Sequence, residues 1–575
     1  MEEIRIGVYI CWCGTNIAKN VDVERVAAEA GKLQGVVVAR DYKYMCSDPG
    51  QDLMVKDIQE MNLNRIVVAA CSPRIHEMTF RKALEKAGLN PYLFQMANIR
   101  EQVSWVHDDR EKATLKAIDL VTGAVKRVRW QEALNKRSVK VNPATLVIGG
   151  GIAGLTAARE IARTGRIVFL VEKEKSLGGM MKKINRTFPN LDEASKYLNP
   201  IIEEVSSHPH IQVYLNSQLV KLSGYVGNFI GTVNHRETQS ELEFGNIIVA
   251  TGLKPFKPVP LSNYAYQRLP NIITSVEFEE MLRHGYIRLD SRQEPKHVAI
   301  IHCVGSRNPD FLPYCSRTCC QTALKFANQI KDLLPKAHVY QIYADMRSMS
   351  KGCEEMYSKT AKRGVMFLMY DQKGKLPYIH EAGKNEKTRL VIEMKELLSG
   401  EQVEVPADLV ILMVGMEAQE TSKQLSQVLG ISRCSNNFYI EKHPKLDPVA
   451  TTTDGVFIVG SCQAPKEISD SASQAKAAAA RVLAMIYKGS IEVEVITSSV
   501  REEICCGCQT CVHVCPYGAI EYLKEKKVCS VNEVICKGCG TCASACPTGA
   551  IGSRHFTEKQ ILAQIEGVML QLLDV

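Results

Sequence analysis

The sequence predicts an α/β protein with a parallel-sheet domain first, a central core of two further α/β sheets, and a small α+β domain last. Three observations predict it. Short apolar runs alternate with amphipathic helices over the first 140 residues or so, as in a parallel sheet. The apolar run Thr145-Leu146-Val147-Ile148 enters Gly149-Gly150-Gly151-Ile152-Ala153-Gly154 and then a helical stretch. The tail carries Cys505, Cys508, Cys511 and Cys515-Pro516, and repeats that spacing at Cys536, Cys539, Cys542 and Cys546-Pro547. The 575 residues divide accordingly into 1–140, 141–290, 291–410, 411–495 and 496–575, with 141–290 and 411–495 two parts of one domain.

Composition narrows the function. With 45% hydrophobic and 23% charged residues the chain is an ordinary globular one. The net charge of +8 is modest, and no basic stripe is interleaved with aromatics, so it speaks for solubility rather than nucleic-acid binding. No apolar run reaches the ~18 residues of a membrane span. Leu409–Val414, the longest candidate, reads as a buried strand. Met1-Glu2-Glu3-Ile4 has neither the basic start nor the apolar stretch of a secretory leader. The 21 cysteines are grouped, which points to metal ligation in a reducing cytoplasm rather than to disulfides.

In the first domain we expect strands at Ile4–Cys11, Val36–Arg40 and Arg65–Ala70. Helices are expected at Val23–Leu33, from Asp48-Pro49, and at His76–Ala87 after Ser72-Pro73, the prolines sitting in the first turns. Cys11 and Cys13 end the first strand, Cys46 follows the second and Cys71 ends the third. Parallel strands share one C-terminal edge, where ligands bind. All four thiols therefore converge there, and soft thiolates select an iron–sulfur cluster or zinc. Scattered buried thiols are the plainer alternative.

The core begins with a dinucleotide fingerprint in its strand–turn–helix context. Gly149 makes the tight turn, Gly151 lets the backbone approach a pyrophosphate, and Gly154 allows close helix–strand packing. The next strand, Ile167–Val171, ends at Glu172, placed to accept from a ribose hydroxyl. Leu177-Gly178-Gly179-Met180 follows, then Ile247-Ile248-Val249-Ala250-Thr251-Gly252, and later Asp454-Gly455-Val456-Phe457-Ile458-Val459-Gly460. Those three in that order resemble the two-dinucleotide-binding flavoproteins of the thioredoxin reductase type, and the resemblance implies FAD. That family has Gly-Asp at the last motif, whereas here Gly460 is followed by Ser461-Cys462.

A second nucleotide fold is expected after strand Val298–His302, but no GxGxxG follows it. Cys303, Cys315, Cys319 and Cys320 stand there instead, the last two opening the helix Gln321–Leu334. A helix N-terminus lowers a thiol's pKa and favours metal ligation. Four thiolates suit a further [4Fe–4S] cluster; a redox-active dithiol and plain packing are the other arrangements. Lys325, on the same helix, is a candidate to direct charge toward the flavin, against the blander role of a solvated lysine.

The tail spacing is the bacterial-type ferredoxin signature, written twice. The fourth cysteine of each run crosses over. One [4Fe–4S] cluster takes Cys505, Cys508, Cys511 and Cys546, and the other takes Cys536, Cys539, Cys542 and Cys515. A zinc ribbon shares the Cys-x2-Cys pairs but not the trailing Cys-Pro. Beyond it, Ile561, Leu562, Ile565, Val568, Met569 and Leu572 mark an amphipathic helix, to pack on its own domain or dock a partner.

The whole chain resembles the flavoprotein A subunit of heterodisulfide reductase. The resemblance rests on Ile10-Cys11-Trp12-Cys13-Gly14-Thr15-Asn16, Ala69-Ala70-Cys71-Ser72-Pro73-Arg74-Ile75-His76-Glu77 and Met96-Ala97-Asn98-Ile99-Arg100-Glu101-Gln102. It rests also on Cys315-Ser316-Arg317-Thr318-Cys319-Cys320 and Gln463-Ala464-Pro465-Lys466-Glu467-Ile468. It implies one FAD and [4Fe–4S] clusters at the four places above. It also implies a cytoplasmic multi-subunit complex, dimeric in some forms, with B and C subunits and a hydrogenase, formate dehydrogenase or similar module. In some members it implies flavin-based electron bifurcation. Methanogen forms carry an inserted ferredoxin module, whereas this chain has no Cys between Gly179 and Ala250. Two other functions compete: a self-sufficient NAD(P)H-dependent iron–sulfur flavoprotein, and a non-catalytic electron-transfer scaffold.

Overall fold

The computed structural model describes residues 3–236, 238–289, 293–383, 388–493 and 495–573. The expected division at 290/291, Met1-Glu2 and the side chain of Leu572 lie outside the described residues. The chain forms two compact units, one of residues 1–138 and 492–575, the other of 139–491.

In the first unit a four-stranded sheet runs in the order Val36–Tyr42, Ile6–Cys11, Arg65–Ala70, Phe94–Asn98, every pair parallel. Ile6–Cys11 is buried along its whole length, as a strand covered on both faces must be. The helix after Cys46 starts at Asp48, but Ser47 caps it, its hydroxyl accepting from Gly50 N at 3.4 Å. Ser72 holds the corresponding position before helix Pro73–Lys86 without a side-chain cap bond. Helix Arg110–Val128 lies under the sheet, burying Ala113, Ala117, Val121, Ala124 and Val125.

The C-terminal helix Glu558–Leu573 packs on Arg110–Val128. It therefore does not pack on the cysteine-rich tail alone, as the first of the two sequence expectations has it, and Ile561, Leu562, Ile565 and Met569 stay exposed. The helices cross where both are glycine: a Cβ on Gly567 would lie 2.6 Å from Gly123 Cα. Arg127 fixes the crossing, donating to Gln564 Oε1 at 2.6 Å and to His555 O at 2.7 Å. The tail itself is α+β. Ile520–Leu523 pairs antiparallel with Val528–Val531, and Ser498–Val500 with Ile551–Ser553, around short helices Thr510–Val514 and Thr541–Ala545.

The second unit holds two five-stranded parallel sheets. One has the order Val456–Ile458, Asn246–Val249, Thr145–Ile148, Val168–Val171, Ile211–Tyr214. The other has Ile272–Thr274, Leu409–Val414, His297–Val304, His338–Tyr343, Met366–Met369. The first sheet thus gathers strands from either side of the second, and Leu409–Val414 is the fully buried strand its apolar run predicts. Two three-stranded antiparallel sheets, over 217–244 and 378–407, accompany them and have no counterpart in our sequence reading.

Candidate functional site

The turn at Gly149 has φ +107°, open to glycine, and helix Ile152–Ala162 begins immediately after Gly151. A Cβ on Gly154 would lie 1.8 Å from Gly149 O, so helix and turn meet at a distance only glycine permits. A Cβ on Gly151 would meet only Gly179 Cα, at 4.0 Å, which leaves that backbone open to a ligand. Gly149, Gly151, Glu172, Gly179, Thr251 and Gly252 line one cavity of about 520 Å³, within the roughly 300–1,000 Å³ of cofactor sites. Gly178 lies one residue outside the lining, its N–H donating to Gly150 O at 2.8 Å.

Glu172 is buried, and its carboxylate accepts from Gly150 N at 2.6 Å and Glu174 N at 2.8 Å. Each oxygen keeps a lone pair, so the carboxylate is held in place and still able to accept from a ribose hydroxyl. The Thr251 hydroxyl is buried at the cavity wall without a hydrogen-bond partner. The open Gly151, the anchored Glu172 and the orphaned hydroxyl fit FAD. Gly460 is not in the lining; it lies against Ala153 on the first turn of the helix and donates to Gln474 Oε1 at 2.7 Å.

Lys325 is not the solvated lysine of the blander expectation. It is 1% exposed, its Nζ pairs with Glu279 and donates to Arg186 O at 2.9 Å. It is not among the cavity's lining residues. A charge this deeply buried needs its partner, so Glu279 claims the cation and the solvated role is excluded.

The strand ends gather the sheet thiols. Cys11 and Cys71 are buried, Cys13 and Cys46 half-buried. Burial pushes the Cys71 thiol up to about 11, the Arg100 charge opposing and Cys13 adding to the rise. Burial likewise raises Cys11, with Cys13 and Cys46 contributing. Arg100 reaches into this group: Nη1 stands 3.5 Å from Cys13 Sγ, and Nη2 pairs with Glu101 at 2.7 Å. Cys13 itself has φ +51°, a left-handed conformation that bulky residues adopt rarely and functional sites tolerate.

The second sheet repeats the device. Cys303 lies near the end of strand His297–Val304, at an irregularity in its pairing, with φ +57°, and Cys319 and Cys320 open helix Cys319–Leu333. Burial pushes Cys303 up to about 12, the negative charge of Cys320 adding and Arg307 opposing. Burial also carries Cys319 well above its ordinary value and raises Cys320. The lowering expected of the helix N-terminus is therefore overridden by desolvation. Cys315, whose Sγ accepts from Arg317 N at 3.4 Å, completes the group.

In the tail, one small cavity is lined by Cys515, Cys536, Cys539 and Cys542, the crossed-over set. Cys536 Sγ accepts from Gly538 N at 3.4 Å, and Cys515 Sγ from Ala519 N at 3.3 Å. Cys505, Cys511 and Cys546 share the tail's apolar cluster, and Cys508 is exposed. The Thr510 hydroxyl holds Cys508 below its usual value, and Thr541 does so for Cys539. Cys529, outside our sequence reading, is buried with its N–H 3.5 Å from Cys505 Sγ. Among the described residues no three Cys, His, Asp or Glu side chains close to the distance of a single ion. A cubane spreads its four thiolates wider than one ion does.

A dinucleotide cavity together with grouped soft thiolates defines an iron–sulfur flavoprotein oxidoreductase. Residues 143–301 match the pyridine nucleotide-disulphide oxidoreductase family model, and 504–550 the 4Fe-4S dicluster domain. The chain is 42% identical to an iron-sulfur A subunit of CoB--CoM heterodisulfide reductase from Methanopyrus kandleri, over 98% of this chain and 99% of that protein. It is 40% identical to the A subunit of the H(2):CoB-CoM heterodisulfide,ferredoxin reductase of Methanothermobacter thermautotrophicus, over 99% and 98%. Thioredoxin reductase of T. acidophilum matches at 16% identity and a TM-score of 0.42, over 60% of this chain and 99% of that one. The chain belongs to the family of heterodisulfide reductase A subunits. It is an electron-transfer flavoprotein subunit with FAD and [4Fe–4S] clusters. The first alignment extends over 653 positions against 575 residues here, so that relative carries residues this chain lacks. Among the described residues no helix is long and apolar enough to cross a membrane.

Proposed function

We propose that this subunit distributes electrons between its flavin and four [4Fe–4S] clusters inside a cytoplasmic heterodisulfide-reductase-type complex. FAD exchanges electrons in pairs, and clusters pass them singly. In this reading Gly149, Gly151, Gly154, Glu172, Gly178, Gly179, Thr251, Gly252 and Gly460 hold or shape the FAD site. Cys11, Cys13, Cys46 and Cys71 hold one cluster, and Cys303, Cys315, Cys319 and Cys320 another. The tail holds two, crossed over through Cys515 and Cys546. Lys325 acts on the flavin only through the segment it fixes at Arg186. The partners are B and C subunits and a module that supplies or accepts electron pairs, such as a hydrogenase or formate dehydrogenase. Splitting each pair between an uphill and a downhill acceptor is the bifurcating form of this function.

One observation carries the reading: family membership over nearly the full chain. The grouping of the cysteines into ligand sets rather than disulfide pairs supports a reducing compartment. Iron analysis of the anoxically purified chain tests it. Four filled sites give about sixteen iron atoms per chain, at four per cluster. Saturation near eight would leave only the tail clusters. The NAD(P)H-dependent alternative is tested on the same sample: NADH or NADPH should leave the flavin oxidised, and rapid bleaching would overturn our reading. Mass spectrometry of the complex purified from the native cell names the partners.

A further inference from the structure

The two sheet sites share something beyond their thiols. At each, a guanidinium with one edge on a carboxylate turns its other edge toward the sulfurs. Arg100 pairs with Glu101 through Nε at 3.2 Å and Nη2 at 2.7 Å, and stacks 4.8 Å over the Trp105 ring. That leaves Nη1 facing Cys13 Sγ at 3.5 Å, with the side chain 14% exposed. Arg307 pairs with Asp345 through Nη2 at 2.7 Å. Its other edge reaches the Cys303 thiol through a side-chain hydrogen bond, its charge bears on Cys320, and Cys320 Sγ lies 3.6 Å from the backbone oxygen of the same Asp345. At both sites, then, a guanidinium already donates to a candidate ligand thiol, and the sulfurs of a bound cluster are further acceptors beside it. The tail sites are built otherwise, with the neutral hydroxyls of Thr510, Thr541 and Thr548 beside Cys508, Cys539 and Cys546.

We propose that Arg100 and Arg307 each donate to the cluster of their site and raise its reduction potential. The proposal rests on the reading that both sheet sites hold [4Fe–4S] clusters. A cubane bound by four thiolates is already anionic, and reduction adds one electron without making or breaking a bond. A fixed cation that cannot deprotonate, with an N–H on sulfur, stabilises the more negative state. The half-buried setting strengthens the effect over what a solvated arginine would exert. Glu101 holds Arg100 through two nitrogens and Asp345 anchors Arg307 through one, so each donor is positioned before the electron arrives. These are positioning residues for electrons, and they set the sheet sites apart from the tail sites.

The test is an anoxic redox titration of the full-length chain with dithionite, following each cluster by electron paramagnetic resonance. In Arg100→Gln one cluster signal should become harder to reduce by at least tenfold in equilibrium constant, ~59 mV for one electron. The other signals should stay in place. Arg307→Gln should do the same to a different signal. Arg100→Lys keeps a charge but loses the fork, and should shift the first signal by a smaller amount in the same direction. If the glutamine form loses iron, the lysine form decides, and an unmoved potential there overturns the proposal. Full iron with no shift in either glutamine variant overturns it outright. A wild-type chain that saturates near eight irons removes the parent reading instead, and shows this before any variant is made.

Discussion

Lys325 and Glu279 form a pair whose value lies in its completeness. Both are nearly buried, and Glu279 also accepts from Asn185 N at 2.9 Å, so the pair clamps the segment at Asn185–Arg186. Removing one partner strands the other charge in the interior. Lys325→Met should lower unfolding free energy by about 3–5 kcal/mol in denaturant titration, and adding Glu279→Leu should recover most of the loss. The glycine contact is as sharp. Gly154→Val has no room beside Gly149 O, so FAD should be retained at least tenfold less tightly, read from flavin absorbance per chain after gel filtration. Glu172 was legible in the sequence because a fixed spacing from the glycine turn implies it. Arg100 and Arg307 were not, though Arg100 sits inside the family string Met96–Gln102. Their meaning depends on which strand ends they meet in space, and Cys529 was hidden for the same reason. The Glu279 partner of Lys325 was hidden because helix position says nothing of what lies across the helix.

At the scale of elements, the C-terminal helix depends on the Gly123–Gly567 crossing. Gly567→Val forces the helices apart and should cost about 1–3 kcal/mol, seen as faster hydrogen exchange over 558–569. His555 adds a pH dependence. Its ring bonds Glu132 O at 2.9 Å, and burial lowers its pKa, with the Arg81 and Arg127 charges contributing. A depressed imidazole is neutral in the fold, and the unfolded chain takes the proton first. This contribution is therefore complete above pH ~6.5 and is lost as pH falls below that value. Thermal unfolding should drop between pH 7.5 and 5.5, and His555→Gln should flatten part of that drop. The parallel strands were readable because strands buried on both faces are continuous apolar runs, as in Leu409–Val414. The antiparallel strands such as Ser217–Tyr225 alternate buried with exposed residues and carry weaker signals.

At the scale of the whole molecule, the sequence divides the chain by motif, whereas the structure divides it by packing. The ferredoxin-like tail and the first sheet carry separate signatures, yet they share one unit through helices Arg110–Val128 and Glu558–Leu573. Periodicity marks that each helix has an apolar face; it does not say which face meets which. The dinucleotide sheet likewise closes only when Val456–Ile458 arrives beside Asn246–Val249, a pairing no local pattern announces.

That first unit also has a clock in it. Gly123 leaves the ribosome long before Gly567 does, by roughly 20–90 s at 5–20 residues per second. Throughout that interval the helix Arg110–Val128 has an uncovered face, and Glu132 O waits for His555. The helix that backs the first sheet, made early, therefore reaches its finished packing only after the last helix has been made.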